Sequence, residues 1–494
     1  MVYLNIITER MNMHAQYSRY SIHSWCGQVF TGFKSMIQTS SLRQYLLMIL
    51  ASTAVFLDYL DTSIVSIALP TISADLGIGS LTASWVMTSY LLALGSTLLL
   101  FGKLADRTGR DREIFTAGFV LFTLSSFLCG ISPNIEFLIG FRVIQGIAAG
   151  MMVSTATMLI TTRLPSGTRG LGMGVIATSG GIALALGPGL GGLVTEFISW
   201  HWIFFINIPI GIAAVILAVF LIPASAVRQN AKQPFDILGA CLLAATLVSL
   251  LMGLELGLSE GWTPQVMLLI GIFPILGFVF FRWELRHPDP VLSARLFLNR
   301  TVMWASFSTL LVTLVYLGIV YLIPFYLTGS IQMSVAAAGL VMLLAPVSMA
   351  LIGIPAGALS QKIGCMRPCN LAAVLMAGGL VVLVFGIALA YLPLLFAGLM
   401  LLGLGMGLNE GPSMQRITLH CPREQQGSSG GLIFTVMNIG CILGVAVFSA
   451  AASLGSGSGD VYTDQGIIAA CIAGIIAAVC AYISSRLARD QICC

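Results

Sequence analysis

Gly102-Lys-Leu-Ala-Asp-Arg-Thr-Gly-Arg-Asp-Arg112 is echoed, without gaps, by Gly357-Ala-Leu-Ser-Gln-Lys-Ile-Gly-Cys-Met-Arg367. The two stretches share the first glycine, the leucine, a basic residue, the second glycine and the final arginine. Each lies between two long apolar runs. Their offset of 255 residues is therefore the length of an architectural unit, and the runs around them say what that unit is.

Only 9% of the 494 residues are charged, against ~25% in soluble proteins, and 57% are hydrophobic. The mean hydropathy is +0.97. No water-soluble fold covers such a core with so little polar surface, so soluble enzymes, nucleic-acid binders and disordered chains are excluded. The runs are long and uninterrupted, which argues for helices rather than the ~10-residue alternating strands of an outer-membrane barrel. A bilayer span needs ~20 apolar residues. Residues 301–361 carry no charge and are too long for one span, and Gly329–Ser334 divides them. Residues 368–409 divide near Tyr391-Leu-Pro393. The result is fourteen spans, from 44–69 to 464–486. The offset then equals eight spans. It predicts an all-α membrane protein of two six-helix bundles, 44–222 and 301–486, around a two-helix insert at 236–284, one known architecture of carriers.

The basic residues support this count. With the N-terminus inside, 22 of the 23 Lys and Arg fall in inner loops and tails, and the other, Arg142, is inside a span. The bias of Lys and Arg toward cytoplasmic loops then places both termini in the cytoplasm of a multi-pass cell-membrane protein. Residues 1–43 read as a tail, disordered or preceding a true start at Met36; the other reading is an amphipathic surface helix. Eleven cysteines are scattered. Cys365 and Cys369 are close, yet no second pair at zinc-like spacing follows, so no metal and no cofactor are expected. There is no phosphate-binding Gly-x4-Gly-Lys-Ser/Thr loop. The expected partners are protons, a small-molecule substrate and the lipid bilayer, with no nucleic acid and a monomeric chain.

Ionisable side chains inside a bilayer are costly and are functional candidates by default. Here they are Asp58, Asp61, Arg142, Glu255 and Glu410. Asp58 and Asp61, three apart, share a helix face. Two carboxylates this close in a low-dielectric site do not both ionise readily, so one is expected to hold a proton, as a proton-coupled carrier requires. At 1.5 Å per residue, Asp61 lies ~12 Å and Arg142 ~9 Å below the outer ends of their spans, close enough in depth to meet. A guanidinium beside one acid leaves the other to titrate. Glu410, near the inner end of its span, either pairs with Arg416 or faces the cavity; Glu255 reads as interfacial. Gln145, Asn207, Asn438 and Tyr321 are further cavity candidates. Gly180, Gly181, Gly187, Gly189, Gly191 and Gly192 let another helix approach closely, and Pro188 can kink the span.

Four stretches, in order and at the right spans, resemble the major facilitator superfamily. Gly102–Arg112 looks like its signature loop, and Leu138-Ile-Gly-Phe-Arg142-Val-Ile-Gln145-Gly146 like its fourth-span arginine motif. Gly180–Gly192 looks like the fifth-span motif of its antiporters. Leu60-Asp61-Thr-Ser-Ile-Val-Ser-Ile-Ala-Leu-Pro70 looks like the first-span motif of the fourteen-span drug:proton antiporters of EmrB/QacA type. Trp200–Pro209 and Phe235-Asp236-Ile-Leu-Gly239 resemble the same family. The resemblance implies proton transfer at Arg142; for Asp61 and Asp58 that role rests on their pairing inside the span, the other readings being a capping acid and a structural ion pair with Arg142. The loop residues Gly102, Asp106, Arg107, Gly109, Arg110 and Arg112 read as an inner gate in which acidic and basic side chains lock helix ends; the other reading is a plain solvated turn. The resemblance also implies an outer closure at Gly187, Pro188, Gly191 and Gly192.

There are departures: Gln361 replaces Asp106 in the second loop, Met437 stands where the family often has arginine, and Asp58 is an additional acid. The expected function is proton-coupled export of hydrophobic cationic compounds, by a carrier and not an enzyme. The alternatives are a carrier for one metabolite or lipid, and a non-transporting membrane sensor on the same scaffold. The paired acids argue against the sensor.

Overall fold

The computed structural model describes residues 40–223, 236–259, 261, 263–287, 299–422, 425–454 and 463–488. Residues 1–39 of the expected tail, part of the loop carrying Arg228 and Lys232, and the side chain of Glu255 lie outside the described residues, whereas residues 40–43, expected in the tail, belong to the first helix. The helices are α1 (Ser40–Asp75), α2 (Ser80–Thr108), α3 (Asp111–Gly130), α4 (Ile135–Arg163), α5 (Arg169–Phe197), α6 (Asn207–Leu221), α7 (Ile237–Ser259), α8 (Pro264–Glu284), α9 (Arg300–Phe325), α10 (Leu344–Ile363), α11 (Met366–Ala388), α12 (Leu392–Leu419), α13 (Gln426–Leu454) and α14 (Asp464–Leu487). One-turn helix Trp202–Phe205 leads into α6, and Val335–Met342 leads into α10.

Thirteen of the described helices are long and apolar enough to cross a bilayer. The other, α7, has an apolar stretch, Leu238–Leu254, which reaches ~25 Å at 1.5 Å per residue. Helices α1 to α6 form one bundle and α9 to α14 the second. The insert packs mainly on itself and leans on α2 and α13. Its helices are joined where Asp236 caps α7 through the Gly239 N–H at 2.8 Å and accepts the Trp283 indole N–H at 2.9 Å. That explains the Phe235-Asp236-Ile-Leu-Gly239 stretch: a β-carbon on Gly239 would fall on the Asp236 carboxylate. Trp200 does a similar task elsewhere, donating its indole N–H to Asp75 at the end of α1 at 2.8 Å.

The repeated loops become structural counterparts. Gly102, near the end of α2, lies against the backbone of Gly427 at the start of α13. Gly357, near the end of α10, lies against the backbone of Gly170 at the start of α5. Each is the second helix of one bundle meeting the fifth of the other, and a β-carbon at either glycine would strike a carbonyl oxygen. Gly109 ends α2 in the left-handed region at φ 65°, donating its N–H to Ala105 at 2.9 Å, the usual glycine helix stop. Both junctions lie where α2 and α10 end and α5 and α13 begin, at the helix ends that carry Lys103, Arg163, Lys362 and Arg367 and so form the basic end.

Candidate functional site

At mid-depth between the bundles lies a cavity of about 280 Å³. Its wall is largely apolar and holds four methionines, Met87, Met349, Met406 and Met437. Asp58, Tyr59 and Thr62 enter it from α1, Tyr316 from α9 and Asn438 from α13. The bundles meet on its basic-end side, where Gly430 packs on Ser154 and Thr157, and Gly174 on Gly353.

Asp61 does not face this cavity. It is 1% exposed and sits in a polar hub with Arg142, which is fully buried. The guanidinium pairs with Asp61, and also donates to the Gln145 amide oxygen at 2.8 Å and the Val86 carbonyl at 2.8 Å. Gln145 and Asn207 each donate to Asp61 Oδ1 at 3.0 Å, and both also donate to Ser126. A buried ion pair needs its remaining hydrogen-bonding capacity filled; these bonds fill much of it, while Arg142 Nη2 and Asn207 Oδ1 have no hydrogen-bond partner among the described residues. Tyr90 links the hub to the cavity. Its ring lies 4.2 Å beneath the Arg142 guanidinium, a cation–π contact, and its hydroxyl donates to Asp58 Oδ1 at 2.6 Å. The two acids are split because three residues turn a helix by 300°, leaving ~60° between them. Asp61 thus points toward α4 and α6, while Asp58 points toward α2 and the cavity.

The five cavity candidates divide. Asn438 lines the wall. Gln145 and Asn207 are hub residues, turned from the cavity by their bonds to Asp61. Tyr321 is 37% exposed, with its ring tilted against that of Phe325 at 5.4 Å between centroids. It lies five residues beyond Tyr316, ~140° around α9, so only one of the two tyrosines can face inward. Glu410 lies behind the wall, fully buried, with the Tyr59 hydroxyl donating to it at 3.4 Å. It does not pair with Arg416. That arginine, expected in an inner loop, is buried in α12 and caps α14 instead, donating to the Ser485 hydroxyl at 3.1 Å, the Ser485 carbonyl at 3.0 Å and the Ala488 carbonyl.

In the signature loop the Asp106 carboxylate spans the bundle junction. It accepts the Gly427 and Ser428 N–H groups, each at 2.6 Å, and the Ser428 hydroxyl at 2.8 Å. These donors open α13, so the anion sits on a helix N-terminus, where the dipole favours it. Arg110 precedes α3, and Arg112 donates to the Val219 carbonyl of α6 at 3.1 Å. Arg107 lies in the last turn of α2. Asp111, which the sequence did not single out, pairs with Arg163 at 2.8 Å.

The glycines of α5 are not equivalent. Gly187 abuts Ser63 and Gly191 lies against Ile64, so this stretch seals α5 to α1 inside one bundle. Gly181 contacts Ala350 of α10, whereas Gly189 and Gly192 have nothing within 4 Å of a β-carbon position. Close approach therefore does not explain Gly189 or Gly192. Helix α5 continues through Pro188 to Phe197.

Two pseudo-symmetric helical bundles closed at one end over a central cavity define a membrane carrier. Residues 51–445 match the profile of the Major Facilitator Superfamily, and the chain belongs to that family. It is 33% identical over 408 residues to the riboflavin transporter RibZ of Clostridioides difficile, covering 82% of this chain and 88% of that one. It is 31% identical over 419 residues to the multidrug transporter protein MdtP of Bacillus subtilis, covering 83% and 75%. Among solved structures, the human organic anion transporter MFSD10 superposes with a TM-score of 0.65 at 16% identity, over 90% of this chain and 99% of that one.

Proposed function

We propose that the chain is a fourteen-span, proton-coupled exporter of hydrophobic cationic compounds, with its basic end and both termini in the cytoplasm of a cell membrane. The observation that carries this reading is the Asp58 carboxyl set in an apolar, methionine-lined wall, while its neighbour Asp61 is held by Arg142. An acid so placed exchanges a proton for a lipophilic cation. Methionine side chains adapt to irregular guests, and such surfaces suit binders of many ligands. Asp58 is therefore the exchanging group, and the Asp61–Arg142 hub senses its charge through Tyr90. The relationship to MdtP, named as a multidrug transporter, supports the substrate class.

A second reading is a carrier for one flat metabolite. The RibZ relationship and the two tyrosines on the wall, Tyr59 and Tyr316, favour it. The deciding experiment adds a panel of lipophilic cations, and riboflavin, to the detergent-solubilised protein and records proton release. Release on addition of cations, lost in Asp58→Asn, supports exchange at Asp58. Saturable binding of riboflavin alone, with no proton released by any cation, would overturn the exporter reading.

A further inference from the structure

Glu410 is the acid left unused by that scheme. It sits on α12, in the opposite bundle from Asp58. It is fully buried, its Oε1 accepts the Tyr59 hydroxyl at 3.4 Å, and its Oε2 has no partner among the described residues. No described Lys, Arg or His pairs with it. The titratable groups around it are Tyr59 from α1, Tyr316 from α9 and Cys441 from α13, with Asp58 beyond Tyr59; none is a cation. A buried carboxylate without a cation is too costly to keep, so such groups stay neutral or find one. Glu410 is not on the cavity wall, but Tyr59 is. One edge of the Tyr59 ring lies against Gly180, where a β-carbon would come within 2.8 Å of Cε2 and 2.9 Å of Cδ2, so this glycine makes room for the ring in its present position.

We propose that Glu410 is a second proton-carrying carboxyl, separated from the substrate cavity by the Tyr59 side chain. Tyr59 follows Asp58 in α1, so one turn of helix touches both acids, one in each bundle. When Tyr59 swings off Gly180, the Glu410 O–H bond opens to the cavity. The proton leaves to water there, and a cation in the cavity neutralises the carboxylate. The reverse movement returns the reprotonated acid to its buried position. The inference rests on the exchange assigned to Asp58 for its proton count, whereas the loss of a carboxyl component in Glu410→Gln tests Glu410 by itself.

The test is an infrared titration of the purified protein without substrate, following the carbonyl band of protonated carboxyls. Wild type is expected to lose such a band with rising pH in two components, and Glu410→Gln to lack one of them. An unchanged band in Glu410→Gln overturns the proposal, whatever Asp58→Asn does. Where Glu410→Gln fails to fold, Glu410→Asp and Tyr59→Phe replace it: each keeps the second acid and is expected to displace the midpoint of the same component. No displacement in either also overturns it. With tetraphenylphosphonium as the probe, Glu410→Gln is expected to release about half as many protons per bound cation as wild type. Equal release shows that Glu410 does not exchange, whereas equal loss in Asp58→Asn and Glu410→Gln shows that both do.

Discussion

Arg142 and Asp61 show how far single residues reach. Their meeting was legible from depth alone, because both helices rise 1.5 Å per residue from chain positions that fix their ends. Their further partners were not. Periodicity gives a side chain's bearing around its own helix, but nothing in the sequence fixes the rotation of the neighbour. Gln145 and Asn207 thus read as cavity residues. The hub has an energetic consequence. Breaking one partner of a buried ion pair typically costs ~3–5 kcal/mol, because the other charge is left uncompensated. Arg142→Gln is therefore expected to lower stability by about that much, and Asp61→Asn to be costly as well rather than silent. The double variant, which buries no lone charge, should be less destabilised than the sum of the two. A double-mutant cycle on thermal unfolding in detergent measures this coupling; strict additivity would show that the pair contributes no mutual stabilisation.

At the scale of helices, the repeated loop was the most informative signal, and its meaning emerged only in contact. The sequence showed two similar stretches. The fold shows that each ends a helix whose glycine touches a glycine of the opposite bundle. Gly357 faces the Gly170 carbonyl, so Gly357→Ala must push α10 from α5. Overpacking of this kind costs ~1–3 kcal/mol, and the cost falls on the conformation closed at the basic end. Gly192→Ala has open space around its new methyl group and should change stability by less than ~0.5 kcal/mol, as ordinary peripheral substitutions do. Both glycines belong to family-like motifs, so sequence alone ranks them equally. Melting curves of the two alanine variants separate them, and a larger loss in Gly192→Ala would contradict the packing described for α5.

For the whole molecule, the basic end must be both a topological label and a moving part. The orientation rule expects Lys362–Arg367 in the cytoplasm and the Ile331–Met333 turn outside. Cysteines placed in the two segments should therefore be labelled by an impermeant thiol reagent from opposite sides, and labelling from the same side would break the fourteen-span count. The moving part is the junction at Asp106. Its carboxylate accepts two backbone N–H groups and one hydroxyl from the first residues of α13. The counterpart junction has Gln361 in the equivalent position, so only one of the two related contacts carries a charge. Hydrogen bonds to a charged group contribute ~1.5–3 kcal/mol each. Asp106→Asn keeps the shape but loses the charge and at least one acceptor. An imbalance of ~1.4 kcal/mol is tenfold in population, so the closed state is expected to lose at least about tenfold relative to the state open at the basic end. Spin labels on the basic ends of α2 and α13 should then report longer distances. Transport should slow because one half of the cycle becomes uphill, while substrate affinity stays close to that of wild type, since Asp106 lies outside the cavity wall. Lost affinity with unchanged turnover and unchanged distances would show that this junction anchors the cavity instead of gating it.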